Sequence, residues 1–171
     1  MYQIRKLGLG DSACFQRLRL AALHDTPSAF TTSLSAEQAL TPTQCHDRID
    51  GPSLSCVWGA WDAHGTLVAS TGLMHQTLDK VQHKATLFAV YVAPASRGAG
   101  LARQLVQAMI AYARSQPQLQ QLLLSVTASN RTAHQLYLSL GFTEYGREPR
   151  AILTAEGWHD QILMHLPLRA A

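Results

Sequence analysis

The sequence has few charged residues, few cysteines and no long apolar run. Charged residues make up 15% of the 171 residues and hydrophobic residues 47%, a balance typical of globular chains rather than disordered ones. No apolar run approaches the roughly 18 residues that a membrane-spanning helix needs. The start of the chain also lacks an apolar signal core of about 7 to 15 residues. We therefore expect a cytoplasmic protein without membrane contact.

The three cysteines are odd in number and none of them belongs to a C-x-x-C pair. This argues against a disulfide framework and against a zinc site, and it fits a reducing compartment. We predict no metal ligands in this chain. The length suits one domain with a sizeable core, so we predict a single domain over residues 1–171.

Acidic residues are absent from the middle of the chain. All eleven lie at or before Asp79 or at or after Glu144, so this stretch carries only positive formal charge. A field of one sign favours an anionic ligand. The basic residues are spread out and do not form a stripe with exposed aromatics, so we expect no nucleic-acid partner. They include Lys84, Arg97, Arg103, Arg114 and Arg131.

Hydrophobic periodicity and turn residues predict an α/β chain in the order β-α-α-β-β-β-α-β-α-β-β. The strand–helix–strand unit over residues 83–126 implies a parallel strand pair joined by a right-handed crossover, flanked by antiparallel strands. Asp11 and Asn130 are predicted N-caps. The predicted strands cover residues 2–7, 53–62, 66–76, 83–92, 119–126, 142–148 and 159–168. The predicted helices cover residues 12–24, 42–50, 98–115 and 131–140.

Two glycines stand where the central strand passes into a helix. At a helix N-terminus the first N–H groups have no partner within the helix and, with the helix dipole, favour an anion such as phosphate. Gly98 and Gly100 have no side chain to keep a phosphate away, and Arg97 can add a charged fork. A tight turn alone would explain the glycines equally well. The P-loop spacing G-x-x-x-x-G-K-(S/T) is absent, and Arg103 stands where a dinucleotide fingerprint needs a small residue.

The segment from Arg97 to Ala102, RGAGLA, resembles the (Q/R)-x-x-G-x-(G/A) signature of the GNAT (Gcn5-related) N-acetyltransferases. A second segment, NRTAHQLYLSLGF over residues 130–142, is similar to the second cofactor motif of that family. The order of elements also matches, so the resemblance covers nearly the whole chain. It implies an enzyme that moves an acetyl group directly from acetyl-CoA to a primary amine of a small molecule or peptide. A homodimer is left open.

The resemblance also implies where the acetyl-CoA lies. Its pyrophosphate would contact the amides of residues 98–103. A backbone N–H on the strand end 90–92, freed by a splay from the next parallel strand, would face the acetyl carbonyl oxygen. Tyr137 would act as general acid to the departing thiolate, because it lies two helical turns after Asn130 on the same face. The implied cofactor-binding residues are Val90, Tyr91, Val92, Arg97, Gly98, Ala99, Gly100, Leu101, Ala102, Arg103, Asn130 and Tyr137.

The general base is uncertain. Many relatives place a glutamate on the strand before the signature, whereas residues 85–89 of this chain read ATLFA. The candidates are His75, His83 and Asp79, with Glu37 more remote, acting directly or through water.

The acceptor is expected at two segments, the loop around Pro27–Phe30 and the connection 147–158. The missing strand carboxylate leaves open a rival function, a non-catalytic sensor or regulatory module that binds acyl-CoA. The presence of Tyr137 argues for catalysis.

Overall fold

The computed structural model describes residues 1–51 and 53–169, and within them seven strands form one sheet. The strand order across the sheet is β1-β2-β3-β4-β5-β7-β6. The strands are β1 Gln3–Lys6, β2 Cys56–Trp61, β3 Leu67–His75, β4 Lys84–Val92, β5 Gln121–Thr127, β6 Thr143–Thr154 and β7 Gly157–Pro167. The helices are α1 Ser12–Asp25, α2 Leu34–Gln38, α3 Pro42–Ile49, α4 Leu101–Ser115 and α5 Arg131–Ser139.

The pairing confirms the predicted mixed sheet. Strands β4 and β5 run parallel, joined through α4, and every other neighbouring pair is antiparallel. None of the helices in the described residues is long and apolar enough to cross a membrane.

Helices cover both faces of the sheet. Successive residues of a strand point to opposite faces. On β2, Val57 is buried in a cluster with Phe15 and Leu18 of α1. The preceding residue, Cys56, is buried in a different cluster with Met109 of α4. Helices α1 and α4 therefore lie on opposite sides of the sheet.

Two helix starts differ from the sequence prediction. Helix α4 begins at Leu101 rather than near Gly98, because residues 97–100 form a turn in which the glycines adopt positive φ. Asp11 is at the N-cap of α1, but its side chain does not cap the helix. Its carboxylate instead accepts the N–H of Gly8 at 2.8 Å and pairs with Arg5 at 2.7 Å.

The short helix α2 is absent from the sequence prediction. Ser33 caps it by accepting the N–H of Ala36 at 3.1 Å. Five residues are too few for the 3.6-residue hydrophobic period to show.

Strand β6 continues past its predicted end at residue 148 to Thr154. Pro149 and Arg150 lie at an irregularity in the ladder, where proline is tolerated, and Arg150 has φ +53°. The Arg150 N–H donates to Asp160 of β7 at 2.9 Å, which holds the two sides together. The segment 147–158 is therefore mostly a paired hairpin and not the open connection that the sequence predicts.

Candidate active site

The parallel pair opens into a cleft after three residue pairs. Strand β4 pairs with β5 only where Lys84–Thr86 face Gln121–Leu123. Beyond this point β5 keeps its antiparallel partner β7 as far as Thr127, while the β5-facing edge of β4 has no strand beside it. Residues 86–92 of β4 and 124–127 of β5 line a pocket of about 1190 Å³ in the opening. The predicted splay is present, and it exposes backbone N–H and C=O groups of β4.

A bulge in β4 accompanies the splay. Ser70 of β3 pairs with Tyr91, and Gly72 pairs with Phe88, so two residues of β4 face one residue of β3. The bulged pair includes Ala89, which has φ +50°. The Ser70 hydroxyl donates to the Ala89 carbonyl at 3.0 Å. Such a bulge bends the strand that carries it, here at the place where β4 leaves β5.

Gly72 leaves the room that the bulge needs. A Cβ at this position would lie 2.3 Å from the ring of Phe88, so any other residue would push that ring aside. Phe88 itself lines the pocket. Gly72 therefore leaves the space that the Phe88 ring occupies beside the cleft.

The glycine-rich turn lies at the same pocket. Gly98 and Gly100 have φ +82° and +73°, which residues with a side chain rarely adopt. Both glycines line the pocket, as do Leu101, Ala102 and Arg103 in the first turn of α4. The amides of that turn have no partner within the helix. No atom beyond the chain neighbours lies within 4 Å of a Cβ built at Gly98, so the turn has space for a phosphate group.

Two arginines of the predicted phosphate site have partners in the protein. The Arg97 guanidinium pairs with Asp25, and its Nε donates to the Val92 carbonyl at 3.0 Å. Asp25 ends α1, which packs on β4, so its carboxylate is within reach of the turn. Arg103 donates to Ser139 at 2.7 Å and thereby joins α4 to the last residue of α5.

Ala99 differs from its neighbours because it is not among the residues that line the pocket. Its carbonyl accepts a hydrogen bond from the Gln104 side chain at 3.4 Å. Any role of Ala99 in binding would therefore be through its backbone.

Tyr137 and Asn130 both line the pocket. The Asn130 side chain caps α5 by accepting the N–H of Ala133 at 3.1 Å, as predicted. Tyr137 is 6% exposed, and its ring packs edge-on to Phe142 with centroids 5.9 Å apart. Burial raises the pKa of the Tyr137 phenol above its ordinary value. The group is therefore a neutral proton donor at any physiological pH.

The candidate bases lie in unfavourable positions. His75 lines the pocket, but Nδ1 lies 2.8 Å from the Ser53 hydroxyl and Nε2 lies 2.7 Å from the Gln82 carbonyl. Both ring nitrogens are therefore occupied. His83 and Asp79 are not among the residues that line the pocket.

Glu37 is also unsuited to proton transfer. It is fully buried, and both of its carboxylate oxygens accept hydrogen bonds from Arg48, at 2.6 and 2.7 Å.

Residues of α1 and α3 form a second end of the pocket, and the sequence did not predict most of them. Phe30 lines it, in agreement with the expected acceptor loop, whereas no residue of 147–158 does. Arg19 of α1 and Asp47 and Arg48 of α3 line it as well. Asp47 is the one carboxylate among the described lining residues. These residues come from separate helices, and no local spacing in the sequence marks them.

No group of three or more His, Cys, Asp or Glu side chains in residues 1–51 and 53–169 is arranged to hold a metal ion.

Comparisons with known proteins agree with this geometry. A family model described as the acetyltransferase (GNAT) family matches residues 17–142. The ribosomal protein bS18-alanine N-acetyltransferase of Salmonella typhimurium is 39% identical over 88 residues. That match covers 52% of this chain and 59% of the relative, so it spans less than two thirds of that protein.

Solved structures are similar over nearly the full length. A GNAT-family acetyltransferase from Streptococcus pneumoniae has a TM-score of 0.83 and 22% identity, covering 98% of this chain and 99% of its own. A GCN5-related N-acetyltransferase from Kribbella flavida has a TM-score of 0.81 and 26% identity, covering 97% of each chain. The protein yncA from Salmonella typhimurium, solved with its cofactor acetyl-CoA, has a TM-score of 0.85 and 21% identity, covering 100% of this chain and 96% of its own.

Proposed function

Because this chain belongs to the GNAT family of acetyltransferases, we propose that it transfers an acetyl group from acetyl-CoA to a primary amine of a small molecule or peptide. The transfer is direct, without an acetylated enzyme. The seven strands form one sheet with residues from near both ends of the described chain, which supports a single catalytic domain over residues 1–171.

The observation that carries the proposal is the cleft between β4 and β5 beside the glycine-rich turn. One pocket joins the unpaired edge of β4, the N-terminus of α4 and the buried Tyr137. An acyl transfer needs these groups together: a site for the donor's phosphates, a donor for the carbonyl oxygen and an acid for the leaving group. When bound, acetyl-CoA would supply the acetyl thioester.

The chain's own groups then have distinct tasks. The amides of residues 98–103 and the dipole of α4 hold phosphate oxygens. A backbone N–H on the free edge of β4, within residues 90–92, faces the acetyl carbonyl oxygen and stabilises the negative charge that develops there. Tyr137 donates its proton toward the thiolate, and Asn130 fixes the start of α5 that carries it.

No side chain that lines the pocket is well placed as a strong base. His75 has both ring nitrogens in hydrogen bonds, and β4 carries no carboxylate. We propose that the amine reacts in its neutral form and loses its proton to water or to Asp47, the carboxylate in the lining.

The test of the proposed function is turnover. The protein should release free CoA from acetyl-CoA only when a suitable primary amine is present, and the acetylated amine should be found by mass spectrometry. The amines to be screened are amino acids, dipeptides, polyamines, aminoglycosides and peptide N-termini. Tight binding of acetyl-CoA without turnover on any amine would instead favour the non-catalytic sensor.

The pH dependence of the reaction should follow the amine. We expect kcat/KM to rise about tenfold per pH unit from pH 6 up to the pKa of the acceptor amine, because only the neutral amine attacks. Above that pKa the profile should be flat. Tyr137 should not produce a falling limb below about pH 10, because burial raises the pKa of its phenol above the ordinary value near 10.

The check is a pH series from about 6 to 9.5 at limiting amine concentration, with chemistry shown to limit the rate. A flat profile over that range would contradict the prediction, because it would mean that the enzyme binds the protonated amine and removes its proton within the site.

A further inference from the structure

A buried arginine lies at the end of the pocket formed by α1 and α3, and it shares its nearest carboxylate with a second arginine. Arg19 is 8% exposed and lines the pocket. Its neighbour Glu37 is fully buried, and both of its carboxylate oxygens accept hydrogen bonds from Arg48. Two guanidinium groups therefore share one carboxylate, and the stronger contacts belong to Arg48.

Arg19 makes only a distant contact with that carboxylate. Its Nε lies 3.5 Å from Glu37 Oε2, and the geometry is not that of a hydrogen bond. Within the described residues Nε and Nη1 are fully buried without a hydrogen-bond partner, so Nη2 is the nitrogen left to meet a ligand. Buried N–H groups of a guanidinium that make no hydrogen bond are costly, and arginine does not escape the cost by losing its proton. Burial, the largest cause, nevertheless lowers the pKa of Arg19, an effect that a bound anion would oppose.

Phe30 fixes the direction in which Arg19 can bind. Its ring lies 4.4 Å from the Arg19 guanidinium carbon and covers one face of the planar group. The N–H groups of Nη2 at the edge of the plane remain, and they can donate to an oxyanion such as a carboxylate. Phe30 also lines the pocket and belongs to the loop expected to meet the acceptor.

Among residues 1–51 and 53–169, the remaining carboxylates near this end of the pocket do not pair with Arg19. Asp47 lines the pocket too, but it forms no ion pair with Arg19 in the described part of the chain. Asp25 is held by Arg97.

We infer that Arg19 binds a carboxylate of the acceptor, so that the substrate is a small amine that also carries a carboxylate, such as an amino acid or short peptide. The inference rests on the proposed function and narrows it. It separates the acceptor from polyamines and aminoglycosides, which carry no carboxylate for Arg19 to bind.

The experiment compares matched acceptors. Free CoA release from acetyl-CoA is measured with amino acids and dipeptides and with the corresponding carboxamides, each at a pH where the same fraction of the amine is neutral. The expected kcat/KM is about 10- to 100-fold higher for the acids, the range of a hydrogen bond to a charged partner. Arg19→Met should bring each acid down to the level of its carboxamide, while the KM for acetyl-CoA stays unchanged.

Two further variants support the comparison. Arg17→Met removes an exposed guanidinium from the same helix and should keep the preference for acids, since Arg17 does not line the pocket. Arg19→Lys retains the positive charge and should keep part of the preference even if the methionine variant does not fold.

The outcomes are distinct. If carboxamides or polyamines react as well as the acids in the native protein, the acetyltransferase stands and the role of Arg19 is wrong. Suppose that the acids are preferred over their carboxamides, and that Arg19→Lys and Arg19→Met both keep this preference in full. Another group then binds the carboxylate, and the inference is overturned. If acetyl-CoA is not consumed with any amine, the proposed function fails and the inference fails with it.

Discussion

Acetyl-CoA should raise the melting temperature of the native protein and leave that of the Gly100→Glu variant unchanged. A ligand that binds only the folded state contributes roughly 2.7 kcal/mol at a hundredfold excess over its dissociation constant. For a chain of this length that is about 5 to 10 °C. The substituted glutamate would place a negative charge and a side chain where the amides of α4 would meet the pyrophosphate, so binding should be lost. Differential scanning fluorimetry with and without millimolar acetyl-CoA measures the difference.

Gly65→Glu is the matched control for this variant. Gly65 has φ +74°, almost the same as the +73° of Gly100, so both substitutions strain the backbone to a similar extent. It lies in the turn between β2 and β3 and does not line the pocket. Both variants should melt a few degrees below the native protein without ligand, because a side chain in this conformation costs about 1–2 kcal/mol. Only Gly65→Glu should regain the full shift with acetyl-CoA. An equal shift in Gly100→Glu would place the phosphates elsewhere.

The glycine-rich turn and the order of elements could be predicted from the sequence because both are local. Gly98 and Gly100 mark a turn with positive φ, the strand before them is mostly apolar, and the helix after them has a clear hydrophobic period. The same is true of Asn130, whose capping role follows from its place before the helix.

The bulge in β4 could not be predicted because it involves contacts between strands. The sequence of β4, KATLFAVYV, contains no glycine that would mark a bulge, and Ala89 is not a residue that signals positive φ. At the bulge Gly72 leaves room for the ring of Phe88, and the Ser70 hydroxyl donates to the Ala89 carbonyl. These partners are distant in sequence, so their contacts cannot be predicted from short sequence patterns.

The ion pairs also could not be predicted from the local sequence, because their partners lie far apart along the chain. Arg97 was expected to face a phosphate, yet α1 brings Asp25 to it from 72 residues away. Arg19, Glu37 and Arg48 come from three different helices, each of them unremarkable by itself. The end of the pocket that α1 and α3 form depends on tertiary packing, whereas the end at the glycine-rich turn is marked by a local motif.

Tyr137→Phe should lower kcat about a hundredfold and leave the dissociation constant of acetyl-CoA nearly unchanged. The variant keeps the ring, its edge-on contact with Phe142 and the buried surface, and it removes only the hydroxyl. Burial keeps that hydroxyl protonated by raising its pKa. General acid assistance is worth about 10²- to 10⁴-fold, and a thiolate is already a good leaving group, so the lower end applies. Steady-state rates at saturating amine, beside calorimetric binding of acetyl-CoA, give both quantities.

Tyr112→Phe controls for the loss of a half-buried phenol. The Tyr112 hydroxyl donates to the Leu54 carbonyl at 3.4 Å, and Tyr112 does not line the pocket. Its variant should keep the native kcat. If Tyr137→Phe weakened acetyl-CoA binding and left the rate at saturation intact, Tyr137 would be a binding residue. If neither quantity changed, the thiolate would leave without its help, and water reaching the cleft would have to supply the proton.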